Sequence, residues 1–199
     1  MNGGVIGLGV YAEDGGVLHV IIETPKGSRN KFNYDEGHGL FKLGGVLPAG
    51  AVFPFDFGFI PSTLGGDGDP LDVLLLMDEP AFTGCLVPSR VVAVIEAEQT
   101  ERDGTRTRND RLIAVAADSR THKEVRTLAD LSVTLLDEIE HFFVSYNQIK
   151  GKTFVPLGRF GPVKAARLIE EAAQRFRHKK KKSNNGRKAR AVKKARGRA

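Results

Sequence analysis

Asp67-Gly68-Asp69-Pro70-Leu71-Asp72 sets three carboxylates within six residues, and the apolar run Val73 to Met77 follows at once. Gly68 and Pro70 fix the bend between the acids. The run reads as a buried strand, so the acids stand at the mouth of a rigid element. Like charges this dense cost free energy unless something positive sits among them. Oxygen-only donors suit a hard cation such as Mg²⁺, which binds through a few carboxylates together with waters and substrate phosphates. Asp-Gly-Asp is also ordinary turn chemistry, because Asp bonds its own backbone and Gly supplies positive φ. An EF-hand loop is excluded: it needs an acid at the fifth place and Gly at the sixth, where Leu71 and Asp72 stand.

Working outward, Val17 to Glu23 and Asn30 to Tyr34 read as strands joined by a turn at Pro25-Lys26-Gly27-Ser28. Leu40 to Leu43 is a further short strand. Val46 to Pro61 is rich in Gly, Pro and Phe and reads as an ordered loop packed by its aromatics, with Phe57 to Ile60 extended. Ser89 to Gln99 reads as a long strand and Arg111 to Ala116 as its return, across a polar hairpin at Arg102 to Asn109 centred on Asp103-Gly104. The period then changes. Leu135, Leu136, Ile139, Phe142, Phe143, Tyr146 and Ile149 fall at helical spacing, which predicts a helix over 130–149 stopped by Gly151. A second helix is predicted over 162–178, with Ala165, Leu168, Ile169, Ala172 and Phe176 on one face and Pro162 in its first turn. Strands first and helices last predict an α+β fold: a small, mostly antiparallel β-barrel or sheet flanked by two C-terminal helices.

At 199 residues the chain is long enough for one domain with a real core. A single cysteine, Cys85, precludes an internal disulfide. With no cleavable leader in evidence at Met1 to Val10, that predicts a cytoplasmic protein. No apolar run approaches the roughly 20 residues of a membrane span. The net charge of +6 hides two parts. Residues 177–199 hold 12 of the 30 Lys/Arg and no Asp or Glu, so residues 1–176 carry 6 − 12 = −6. The expected division is a catalytic body over 1–176 and a basic tail over 177–199, disordered in isolation.

The string Asp67 to Val73 resembles the signature of the soluble family I inorganic pyrophosphatases: Asp, a small or polar residue, Asp, Pro or Glu, an apolar residue, Asp, an apolar residue. It fits at every position, and the resemblance extends from about Val20 to Val163. It implies a small β-barrel flanked by helices and Mg²⁺-dependent hydrolysis of pyrophosphate to two phosphates, with Mn²⁺ as a second candidate ion. It implies that Asp67 and Asp72 ligate metal and that Asp69 takes the proton of the attacking water. Glu23, in Ile21-Ile22-Glu23-Thr24-Pro25, matches a strand acid near the metals. Lys31 matches a phosphate-binding lysine, and Tyr146 a tyrosine whose hydroxyl binds phosphate. Arg111 stands where the family usually has Lys; Arg binds phosphate bidentately and keeps its charge. Read without the resemblance, Glu23 and Lys31 are ordinary surface residues and Tyr146 is helix core. His141, in the same segment, reads as structural.

The chain also departs from the family pattern. Asn109 stands in place of a metal-ligating Asp, so it would coordinate through an amide oxygen that brings no charge. Gln99 stands about where another metal-binding Asp is expected, with Glu101, Asp103 or Asp110 as candidate substitutes. Asn33 replaces an acid, and Gly45 or a neighbour replaces a phosphate-binding Arg. Phe53 and Phe57 replace tyrosines, and Asn147 replaces a Lys just after Tyr146. Arg102, Arg106 and Arg108 on the hairpin are the expected compensating cations. Hexamers are common among bacterial relatives, so the resemblance implies a homo-oligomer. Two other functions fit the residues: hydrolysis of a different phosphoanhydride, or a non-catalytic protein of the same fold that contacts nucleic acid through its tail. The tail has no aromatics for base stacking, so any such contact would be non-specific and salt-dependent.

Overall fold

The computed structural model describes residue 5, residues 8–13 and residues 15–196, with side chains as far as residue 182. Among them, five strands close into a ring. β1 (Leu18–Thr24) pairs antiparallel with β4 (Asp56–Phe59), and β4 with β5 (Asp72–Leu76). β5 lies parallel to β8 (Arg111–Ala116), with Val73 opposite Leu112. β8 pairs antiparallel with β6 (Leu86–Thr100), whose first residues return to β1. β7 (Arg106–Arg108) and β9 (Thr153–Phe160) line the far half of β6. β2 (Asn30–Asp35) and β3 (Leu40–Val46) form a separate hairpin. The mostly antiparallel barrel expected from the sequence is this ring, with β5–β8 as its parallel pair.

The continuous apolar runs of β5 and β8 follow from cover on both faces. Alternate residues point to opposite sides. Leu74, Leu76, Ile113 and Val115 join Phe53, Phe57, Phe143 and Phe154 in a core shared with α1 (Val133–Ile149). Val73, Leu75, Leu112 and Ala114 join Ala165, Ile169 and Ala172 of α2 (Pro162–Arg196) in the other. The predicted apolar face of α2 is the buried one.

Three elements differ from the sequence reading. α1 begins at Val133, where the Ser132 hydroxyl caps Leu135 N–H at 3.1 Å; Leu128–Asp130 is a separate 3₁₀ turn. Ile149, expected on the apolar face of α1, is 60% exposed, although Tyr146 and Asn147 of the same turn pack inward. β9 went unpredicted because Pro156 and Gly158 break its strand pattern. Pro156 is tolerated because β9 is hydrogen-bonded to β6 alone. α2 also continues past the predicted stop at 178 to Arg196, through Ala, Lys and Arg, which are good helix formers, and across the weaker formers Ser183-Asn184-Asn185-Gly186. The side chains from residue 183 onward lie outside the described residues, as does the backbone of 197–199.

Candidate active site

The Asp67 loop turns tightly before β5. Gly68 sits at φ +94, which excludes most side chains, and Gly65 N–H bonds Asp69 O at 2.6 Å. A Cβ on Gly65 would lie 2.9 Å from Asp67 Oδ1, so this glycine lets the loop fold onto itself. Asp69 N–H donates to Asp67 Oδ1 at 3.1 Å. The turn chemistry recognised in the string is therefore present, and it aims the acids into a cleft of about 720 Å³. Asp67, Asp69, Asp72, Glu23, Lys31, Asn109, Arg111 and Tyr146 all line it. Every residue singled out by the resemblance for the site thus reaches one cavity, from five separate elements of the fold.

The cleft's electrostatics are uneven. Asp67 and Asp69 are solvent-accessible at the rim but closely surrounded by protein. Burial, with the charges of Asp72 and Asp69 adding to it, pushes the Asp67 carboxyl up to about 6. Burial and Asp72 likewise raise Asp69. Glu23 is raised by burial, even though Lys31 Nζ bonds its Oε2 at 2.7 Å and Tyr34 N–H donates to its Oε1 at 2.8 Å. Lys31 is buried over the Phe57 ring at 4.4 Å, so it is no solvated surface lysine. Phe57 supplies a face where a tyrosine would supply a hydroxyl.

Opposite the acids, Arg111 Nη1 donates to Asp72 Oδ2 and to Asn109 Oδ1, while its guanidinium packs 4.7 Å over Phe143. Asn109 Nδ2 donates to Gln99 Oε1 at 3.1 Å, and Gln99 Nε2 to Glu101 Oε1 at 2.5 Å. Of the three candidate substitute acids, only Glu101 lines the cleft, paired with Lys152 at 2.7 Å. Asp110 instead accepts from Ala97 N–H and pairs with Arg108, and Asp103 caps its own turn through Thr105 N–H.

The hairpin arginines expected to compensate are engaged outside this cleft, although Arg108 lines an adjoining cavity with Asp67, Asp72 and Asn109. Arg102 donates to Lys150 O at 2.7 Å, Arg106 pairs with Glu98 and Arg108 with Glu96, and none lines the cleft. Besides Lys31 and Arg111, the cations that line it are Lys42, Lys150 and Lys152, which the sequence reading missed. Lys150 Nζ donates to the Tyr146 hydroxyl from one helical turn on, and burial lowers its pKa. Tyr146 itself is raised by burial and packs 5.8 Å from Phe53. The i, i+4 spacing from Tyr146 was the available signal. Asn147 also lines the cleft, its amide donating to Phe143 O.

The residues 20–177 match the family model for inorganic pyrophosphatase. The chain belongs to the inorganic pyrophosphatase family. The family member from Halalkalibacterium halodurans is 38% identical over 163 residues, covering 81% of this chain and 96% of that one. The Synechocystis pyrophosphatase is 36% identical over 162 residues, covering 81% and 93%. The crystal structure of the Thermus thermophilus pyrophosphatase superposes with a TM-score of 0.80 at 34% identity, covering 88% of this chain and 99% of that one. The basic segment from residue 178 on lies past the region that matches the family.

The family's divalent ion can be tested against the residues present. No group of three or more His, Cys, Asp or Glu among the described residues is drawn together into a closed metal cage. The donors are nevertheless all oxygen, share one cleft, and include Asp67 and Asp69, whose carboxyls burial and the neighbouring acids raise. Mg²⁺ keeps several waters and needs only one or two carboxylates with substrate phosphate, so the open arrangement fits it.

Proposed function

We propose that the cleft hydrolyses inorganic pyrophosphate to two phosphates, and that residues 1–176 form the catalytic body. The reading rests above all on one observation: the acid loop Asp67–Asp72 faces Lys31, Arg111, Tyr146, Lys150 and Lys152 across a single cavity. Asp67, Asp72, Glu23 and Asn109 would hold Mg²⁺, or Mn²⁺ in its place. When bound, such ions acidify a water and neutralise charge on the departing phosphate.

The chain's own residues supply the rest. Asp69 accepts the proton of the attacking water; its raised pKa makes it a stronger base than an exposed Asp. The water's oxygen bonds to one phosphorus as the bridging P–O bond breaks, leaving two phosphates. Lys31, Arg111 and the Tyr146 hydroxyl orient the phosphates. Two buried polar atoms among the cleft-lining residues, Arg111 Nε and Thr107 Oγ1, have no hydrogen-bond partner in the protein, which supports an anionic ligand beside them. Lys150 and Lys152 take the place of the cation absent at Asn147.

The protein is cytoplasmic and a homo-oligomer, with a hexamer as the expected state, in this reading. The basic tail over 177–199 makes non-specific, salt-dependent contact with nucleic acid. No described helix is long and apolar enough to cross a membrane. The test is phosphate release from pyrophosphate with Mg²⁺. Turnover in the wild type that disappears in Asp69→Asn supports the reading, and absence of turnover in both overturns it.

A further inference from the structure

α2 is fastened to the acid loop. Leu64 N–H donates to Ala172 O at 3.1 Å, and Arg175 Nε donates back to Leu64 O at 2.9 Å. Leu64 lies three residues before Asp67. Ala172 is fully buried, so its side of the helix faces that loop. Lys179 follows seven residues later, two turns on, which returns it to the same side roughly 10 Å farther along the axis. It opens the run Lys179 to Lys182, and all four lysines are exposed. Arg175, one turn before Lys179, lines a cavity together with Asp67 and Asp72, so this part of the helix stands beside the acid loop.

These cations stand on a body that is otherwise net negative and whose cleft mouth carries Asp67, Asp69 and Glu36. An approaching diphosphate meets repulsion at that rim before it reaches Lys31 or Arg111. Lys179 on the loop-facing side, with three more lysines around the same turn of the helix, opposes that negative field, and charge patterns of this kind raise association rates in a salt-dependent way.

We propose that Lys179 to Lys182 form an electrostatic guide that draws pyrophosphate to the cleft mouth, a role added by the segment past the family match. The inference rests on the reading that this cleft takes pyrophosphate. It assigns the lysines to capture of the anion, with no part in the bond-breaking step.

The test uses full-length protein and methylenediphosphonate, a non-hydrolysable diphosphate. Binding is followed by stopped-flow tyrosine fluorescence; the chain has no Trp, and two of its three Tyr, Tyr34 and Tyr146, line the cleft. The variant Lys179→Gln/Lys180→Gln/Lys181→Gln/Lys182→Gln removes the near cations. A second variant, Arg190→Gln/Lys193→Gln/Lys194→Gln/Arg196→Gln, removes as many from the far end. The near variant is expected to slow association about tenfold at low salt with an unchanged dissociation rate. The gap should close near 1 M salt, where the Debye length is about 3 Å. The far variant should lose clearly less. Equal association in wild type and near variant at low salt overturns the guide. So does equal slowing by both variants, or slowing that persists at high salt. Phosphate release by the wild type is read separately. Its absence would defeat the hydrolytic reading while the association rates still decide the guide.

Discussion

The two walls of the cleft handle charge in opposite ways. On the Asp67–Asp69 wall the acids crowd one another, and burial raises both carboxyls, with no side-chain cation among the described residues bonded to either. On the Gln99–Asn109–Arg111 wall, amides and the Arg111 Nη1 group bond one another in a chain that ends on Asp72 and Glu101, leaving Arg111 Nε unpartnered. The first wall is costly until a cation arrives; the second already carries a cation, Arg111, bonded to Asp72. A site built this way concentrates its need for metal on the acid loop. In the proposed reading the amide wall is left to orient phosphate, while Arg111 holds Asp72 in place.

That contrast can be broken in four places, from the largest effect to the smallest. Asp69→Asn keeps the shape of the acid wall but removes its proton acceptor, and should lower phosphate release by about 10²–10⁴-fold. Arg111→Met removes the guanidinium that ties the walls together. It should cost about 10²–10³ in kcat, measured with saturating Mg²⁺ and pyrophosphate. Asn109→Asp puts a charge on the amide wall and should tighten Mg²⁺ binding about tenfold by calorimetry, making the two walls alike. Lys150→Met should raise KM for pyrophosphate only a few-fold, because Lys31, Arg111 and Lys152 remain in the cleft.

The same contrast separates what was legible in the sequence from what was not. The acid loop could be read because its chemistry is local: Gly68, Pro70 and three acids specify both the turn and the ligand set. The strands of the ring and both helices were legible from their periods. The amide wall is assembled across the β6–β7 hairpin, and sequence does not say which way that hairpin presents its side chains. Glu101 was therefore indistinguishable from Asp103 and Asp110, and the hairpin arginines seemed available to the site when Glu98, Glu96, Asp110 and the Lys150 carbonyl hold them elsewhere. Lys150 and Lys152 were overlooked because lysines after a helix end are usually solvated. Here Gly151, at φ +70, turns the chain between them and β9 carries it back along β6, which keeps both on the cleft.

The most direct measurement of the central claim is Mg²⁺ titration calorimetry on the full-length protein and on Asp67→Asn. Saturable uptake by the wild type, weakened at least tenfold by this single loss of charge, is the predicted result. Uptake that is absent in the wild type, or equal in the two proteins, would contradict the claim that the acid wall gathers the ions.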